Sequence, residues 1–310
     1  MKNENLRKFL EEKKIPYHAN KSIKPYVTMG IGGNVHLIIL PSRELHLKAL
    51  LKYLHLHQYK YILLGSGSNV IFPDDFSPLI VIINRTAGIY KEEDNILKVN
   101  SGVPISHLMN WSIRNNIGGI DFLAGIPGTI GGAAAVNAGA FGKSISSLLE
   151  KAEIITQHNE IKIVDNHYFN FSYRNSRFKY SEEVILNVFL RFTPVPGDQI
   201  KEKVTANIKY RQQNHPCSSD RSAGCFFKNP VIDDKKISAG QLIEQSGFKG
   251  TTHKTLRVSP AHANFVINSD DASFTDIQEL ETKIIKKVLK DKGIQLEREV
   301  IYISPNGRKW

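Results

Sequence analysis

The chain has 310 residues, room for roughly two or three domains at about 100–200 residues each. Its 41% hydrophobic, 23% charged and 9% aromatic content excludes a disordered tail, a collagen-like fibre and a disulfide scaffold. The net charge is +11, but Lys and Arg are scattered and form no nucleic-acid arm, so the charge suits an anionic small molecule as well as RNA.

Residues 1–14 read as an amphipathic helix and lack the apolar core of a signal peptide. A strand is predicted over Val35–Leu40. A helix follows over Arg43–His57, where Leu45, Leu47, Leu50, Leu51 and Leu54 mark an apolar face. Strands Tyr61–Leu64, Leu79–Asn84 and Ile96–Asn100 precede a helix over Pro104–Asn116. Phe122–Gly142 is uncharged and long enough to test for a membrane span, but six glycines and a proline favour turns. Strands Ile154–Thr156 and Val184–Phe192 come next. A break at Thr193–Gly197, with two prolines and a glycine, then opens a helix over Gly197–Gln213. A strand over Asn264–Asn268 leads to a helix over Thr275–Leu289, with Thr275 and Gln278 as its expected capping box. The last strand is Val300–Ile303. Interleaved helices and strands call for α/β or α+β layers.

Two glycine loops stand out. Gly65-Ser66-Gly67-Ser68-Asn69 directly follows a strand, and its small residues let backbone approach a ligand or simply make a tight turn. It has neither P-loop nor GxGxxG spacing. The run from Gly118 to Gly142 has so few side chains that it gains little from burial. It fits close contact with an extended ligand, with close packing through small residues as the alternative. Two such loops suggest a dinucleotide. Cys217 and Cys225, eight positions apart, make no disulfide framework, and they point to a reducing compartment. No histidine pair supports a metal site. His253 and His262 suit packing or hydrogen bonding.

The segments TMGIGGN (28–34), LLGSGSNVIFPD (63–74), IDFLAGIPGTIGGAAAVNAGAFG (120–142), YRNSRF (173–178), SAGCFFKNP (222–230), AGQLIEQSGFKG (239–250), VSPAHANFVIN (258–268) and LEREV (296–300) follow one order. In them the chain resembles the UDP-N-acetylenolpyruvoylglucosamine reductase family, flavoenzymes that complete UDP-N-acetylmuramate in bacterial peptidoglycan synthesis, and so serve cell-wall biogenesis, cell shape and division. It matches the shorter form, which lacks an insertion in the substrate domain. The resemblance implies an α+β fold: a vanillyl-alcohol-oxidase-type FAD-binding module of two subdomains, 1–84 and 85–193, plus an α+β substrate-binding domain, 194–310, whose C-terminal strand returns to the active site.

It further implies non-covalent FAD, NADPH as hydride donor, UDP-N-acetylglucosamine enolpyruvate as substrate and a cytoplasmic location, with no nucleic-acid, membrane or obligate protein partner. The FAD contacts would be Gly65, Ser66, Gly67, Ser68, Asn69, Gly125, Pro127, Gly128, Thr129, Gly131, Gly132, Asn137 and Gly139. Arg174 matches the family's catalytic arginine, whose planar guanidinium grips a carboxylate with two parallel bonds. Glu299 matches its catalytic glutamate. Cys225 stands where members commonly carry a serine proton donor; a thiol, with an ordinary pKa of about 8.5, is much the stronger acid. Lys228 beside it threatens to convert the thiol to thiolate. Tyr173, Lys228 and Asn229 are the expected substrate contacts, and Arg211 and Arg221 suit either the diphosphate or solvent. Thr252–Thr255 depart from the glycines common in the family. Alternatives are a related FAD-dependent oxidase of the same fold, a flavoprotein without the activity, and a basic non-enzymatic binding protein.

Overall fold

The computed structural model describes residues 2–75, 77–304 and 307. They are mixed helix and strand, in the α+β class, and cluster into two compact units interleaved along the chain. The first comprises Met1–Ala19, Leu37–Ser66 and Ile80–Lys209; the second, Asn20–His36, Gly67–Leu79 and Tyr210–Trp310.

The first unit begins with helix α1 (Lys2–Glu12) and resumes within the strand Asn34–Ile39, at Leu37, before α2 (Glu44–Leu56). The leucine spacing of α2 works as expected: Leu47, Leu50, Leu51 and Leu54 are buried, and Leu45 is left outside. They pack with Leu6 and Leu10 of α1 and with Leu37, Ile39, Ile80 and Ile82. A four-stranded sheet has the order 17–22, 34–39, 77–83, 61–64. Its last two strands are parallel, in register from Tyr61 with Ile80 to Leu64 with Ile83. Strand Tyr17–Ser22 carries too many polar residues for a sequence pattern to reveal it.

A five-stranded sheet runs in the order 161–165, 149–155, 184–191, 96–100, 89–91, with antiparallel pairing throughout. Its Leu149–Ile155 strand is longer than the apolar Ile154–Thr156 run, because Glu150, Lys151 and Glu153 break the hydrophobic signal. Glu153 is instead part of a polar network. Asn187, fully buried, donates to Glu153 (2.7 Å) and accepts from Asn100 (2.5 Å), while Lys48 of α2 reaches both Glu153 (2.7 Å) and Glu44 (2.6 Å). Helices α3 (Ile105–Arg114), α4 (Ile130–Ala135) and the start of α5 (Gly197–Asn214) complete this unit's core through Ile105, Leu108, Ile130, Ala134, Ile200 and Val204.

The second unit is built around α6 (Ala239–Gln245), α7 (Phe274–Lys292) and a three-stranded antiparallel sheet of 252–253, 256–258 and 266–268. Ile277, Leu280, Ile284 and Val288 of α7 face Leu242, Ile243, Phe226, Phe227 and Tyr302. The expected capping box is displaced by two residues. Ser273 accepts from Asp276 N–H and the Asp276 carboxylate accepts from Ser273 N–H, so Phe274 joins the helix and Thr275 lies inside it. The Asp276 carboxyl is held down to about 2, first by Lys254 and then by the Ser273 bonds. No helix among the described residues is long and apolar enough to cross a membrane.

Candidate active site

In the first unit the two glycine loops meet. A Cβ added to Gly65 would lie 2.2 Å from Thr129 Oγ1, so only glycine fits against that side chain. Thr129 is buried and its hydroxyl accepts from Gly132 N–H (3.3 Å), capping α4. The next turn is laced to residues 101–105: Gly131 N–H donates to Ser101 O (2.8 Å), Ile130 N–H to Val103 O (2.9 Å) and Ile105 N–H to Gly128 O (3.0 Å). A Cβ on Gly131 would lie 2.5 Å from Ser101 Cβ. The side-chain-poor run is therefore not one open loop. It holds a short helix, closely packed backbone and glycines at positive φ, Gly125 (76°) and Gly128 (144°), on either side of Pro127.

Farther along, the small residues serve the protein itself. Asn137, at φ 48°, donates to Ser172 O (2.9 Å) and accepts from Ser146 N–H (3.3 Å). Gly139 sits in a hairpin where a Cβ would meet Lys143 O at 2.2 Å. Its carbonyl accepts from Arg174 Nη2 (2.9 Å). Ser172 and Asn175 exchange backbone hydrogen bonds (3.1 and 3.2 Å), leaving Tyr173 and Arg174 at the tip of a tight turn. Arg174 takes φ 54°, a left-handed conformation that costs a side-chain-bearing residue roughly 1–2 kcal/mol. The half-buried guanidinium lies 5.6 Å from the Tyr173 ring centroid. It is held by the glycine-rich run through the Gly139 carbonyl.

The rest of the first loop belongs to the second unit. Gly67, at φ 61°, would bring a Cβ within 2.3 Å of Tyr26 O, and its carbonyl accepts from Thr28 N–H (3.1 Å). The strand Val70–Ile71 pairs in parallel with the C-terminal strand Ile301–Tyr302. Ile301 N–H donates to Asn69 O (3.0 Å), and the Asn69 amide donates to Glu299 O (3.3 Å). The C-terminal strand thus returns to the glycine loop.

The same strand runs beside the Cys225 segment. Glu299 N–H donates to Phe226 O (2.8 Å), Lys228 N–H to Glu297 O (2.8 Å), and Phe227 bridges Arg298 antiparallel. Cys225 and Glu299, both half-buried, are carried on these adjoining segments. On the other side Cys225 bridges Phe265. Lys228 pairs with Glu297 (2.8 Å), which balances the charge expected to act on the thiol. Asn229 Oδ1 accepts from Ala239 N–H (2.9 Å), so its oxygen holds the start of α6. Arg221 donates to Asn268 O (3.2 Å).

Three features escape the sequence. Tyr302 donates to Glu281 (2.6 Å) and lies under the Arg298 guanidinium at 3.6 Å; burial, and then the Glu281 charge, raise its pKa. His215 packs on His262 (5.3 Å) and Phe265 (5.1 Å), and burial, with help from Arg211, lowers its pKa to about 4. Asn264, 2% exposed, binds Phe226 and Phe227 through three hydrogen bonds. A polar residue inside an apolar motif is the only signal such positions give. Among the described residues no cluster of His, Cys, Asp or Glu is placed to hold a metal ion.

Gly65, Ser66, residues 125–139, Tyr173 and Arg174 therefore sit in the first unit, and Gly67, Ser68, Asn69, Cys225, Lys228, Asn229 and Glu299 in the second. Two family profiles match the chain. Residues 35–165 match an FAD binding domain, and 215–303 match the C-terminal domain of UDP-N-acetylenolpyruvoylglucosamine reductase. The reductase of Syntrophus aciditrophicus is 31% identical over 91% of this chain and 90% of its own length. That of Bacillus pumilus is 31% identical over 97% and 99%. The crystal structure of the reductase from Thermus caldophilus superposes with a TM-score of 0.75 at 27% identity, covering 93% of this chain and 98% of the other.

Proposed function

The chain belongs to the UDP-N-acetylenolpyruvoylglucosamine reductase family, and on that premise we propose that it is the NADPH-dependent flavoenzyme reducing UDP-N-acetylglucosamine enolpyruvate to UDP-N-acetylmuramate for peptidoglycan, in the cytoplasm. The observation that carries this reading is the C-terminal strand. It brings the Glu299 backbone within hydrogen-bond reach of Asn69 in the glycine loop and of the Cys225 segment.

The loops suit FAD. Gly65 is barred from carrying a Cβ by Thr129, Gly131 by Ser101 and Gly67 by Tyr26, so these glycines set the two loops closely against the protein's own atoms, and the loops would take the cofactor from that fixed position. Both glycine loops fall inside the FAD-domain match over residues 35–165, and that match supports a vanillyl-alcohol-oxidase-type module. Gly65, Ser66, Gly67, Ser68 and Asn69, with Gly125, Pro127, Gly128, Thr129, Gly131 and Gly132, would hold the cofactor. Asn137 and Gly139 would contact it as well, and the Gly139 carbonyl also holds the Arg174 guanidinium (2.9 Å). Residues 1–84 and 85–193 would form the two FAD subdomains, and 194–310 the substrate domain.

Bound FAD supplies hydride transfer, from NADPH to the vinyl carbon of the substrate. The protein must then manage charge and a proton. As the hydride adds, negative charge collects on the neighbouring carbon and its carboxylate. Arg174 would clamp that carboxylate with a fork that cannot lose its proton. Glu299, as the acid, would donate a hydrogen bond to the same charge. Cys225 Sγ–H would give its proton to the carbon, ending the step as thiolate before solvent restores it. Tyr173, Lys228 and Asn229 would line the sugar nucleotide. The test is turnover: NADPH consumption that depends on the enolpyruvyl UDP-sugar, with a product heavier by two hydrogens. NADPH oxidation that ignores this sugar would point to the oxidase alternative.

A further inference from the structure

We propose that Asn264 is a positioning residue for Cys225. Its backbone carbonyl accepts from Phe226 N–H (2.7 Å), its Oδ1 accepts from Phe227 N–H (2.9 Å), and its Nδ2 donates to Phe227 O (2.8 Å). Three bonds, two of them from the side chain, thus fix the two residues that follow Cys225, from a residue that is 2% exposed. A carboxamide is the one short side chain that offers a donor and an acceptor side by side, which is what a backbone N–H and C=O of one residue require.

Asn264 is itself held. Its N–H donates to His262 Nδ1 (3.2 Å), and the N–H of His262 is turned toward Ser259 Oγ (3.3 Å). His262 and His215 pack around Phe265, the residue that bridges Cys225. The opposite edge of the Cys225 segment is bound by Glu299 N–H and Glu297 O. Asn264 is therefore the side-chain half of a two-edged grip on the thiol-bearing segment. Loss of one edge lets the segment shift, and a displacement of about 1 Å at a reacting group costs on the order of 10²-fold in rate.

The role rests on the reductase reading, so the test carries a readout that does not. Asn264→Ala and Asn264→Ser are made in FAD-loaded protein carrying Cys217→Ser, which leaves Cys225 as the one thiol. Flavin reduction by NADPH, reoxidation by the enolpyruvyl UDP-sugar and the rate of Cys225 alkylation by iodoacetamide are measured for each. The expected result is unchanged flavin reduction, reoxidation slowed by about 10²-fold in Asn264→Ala and less in Asn264→Ser, which can restore one bond, and an altered alkylation rate in both. If Asn264→Ala does not melt cooperatively, Asn264→Ser decides. Reoxidation at the parent rate, equal slowing of both half-reactions, or an unchanged alkylation rate would each overturn the proposal. If the parent does not reduce the sugar, the functional reading falls, and the alkylation rate alone still decides whether Asn264 sets the thiol.

Discussion

The side-chain amide of Asn69 donates to the backbone carbonyl of Glu299, 3.3 Å away, across 230 residues of chain. Ile301 N–H returns the contact to Asn69 O (3.0 Å). Removing the amide with Asn69→Ala leaves the Glu299 carbonyl without that donor, at a cost of about 1 kcal/mol. The melting temperature should fall modestly, and substrate reduction should fall more than flavin reduction by NADPH. Equal losses in both half-reactions would mean that Asn69 serves the cofactor alone.

Gly65 and Thr129 give a second test. Gly65→Ala forces a Cβ to 2.2 Å from Thr129 Oγ1, and overpacking of this kind costs roughly 1–3 kcal/mol. FAD affinity and thermal stability should both drop. Adding Thr129→Ala removes the Oγ1 and Cγ2 contacts, although by itself it takes the cap from α4 at about 1 kcal/mol. The double variant should therefore be better than the sum of the two single variants. Strict additivity in melts and FAD titrations would show that the two loops do not press on each other.

Much of this was legible in the sequence, and the reasons are local. The leucines of α2 and the isoleucines of α7 declare their faces, because a helix buries one side at three- and four-residue steps. The glycine loops declare themselves by lacking side chains. The Thr129–Gly65 contact was hidden, since nothing in either loop shows which other backbone lies against it. Helix α4 was hidden because glycine and alanine carry no periodic signal. The start of α7 was misread by two residues because Ser273 and Thr275 are both good caps, and only the packing of Phe274 separates them. Asn264 and Asn187 were hidden because a buried amide looks like a loop residue until its partners are seen.

Cys225 and Arg174 are tested by their own chemistry. Cys225→Ser should keep reductase activity. Cys225→Ala should spare flavin reduction by NADPH and slow substrate reduction by at least ~100-fold, the lower scale for a lost acid. Arg174→Lys should also be poor, because a point charge cannot reproduce the fork that also reaches Gly139 O. Parent rates for Cys225→Ala in stopped-flow reoxidation would remove the thiol from the mechanism.

His215 ties stability to pH. Its pKa is depressed to about 4 in the fold, chiefly by burial, against an ordinary value of about 6.5. Between those values the unfolded chain binds the proton and the folded one does not, so stability falls as pH drops from about 6.5 toward 4. The contribution is complete above about 6.5. His215→Gln should flatten the melting-temperature profile in that window and leave it unchanged in slope above it. Superimposable profiles for the two proteins would show that His215 titrates normally.

One chain, with FAD bound, should both accept a hydride from NADPH and pass it to an enolpyruvyl UDP-sugar. The most direct measurement mixes the purified, FAD-loaded protein with NADPH under anaerobic conditions, records the flavin absorbance, and then adds the sugar nucleotide. The flavin band should bleach with NADPH and return when UDP-N-acetylglucosamine enolpyruvate is added. A band that bleaches and stays bleached until oxygen is admitted would contradict this.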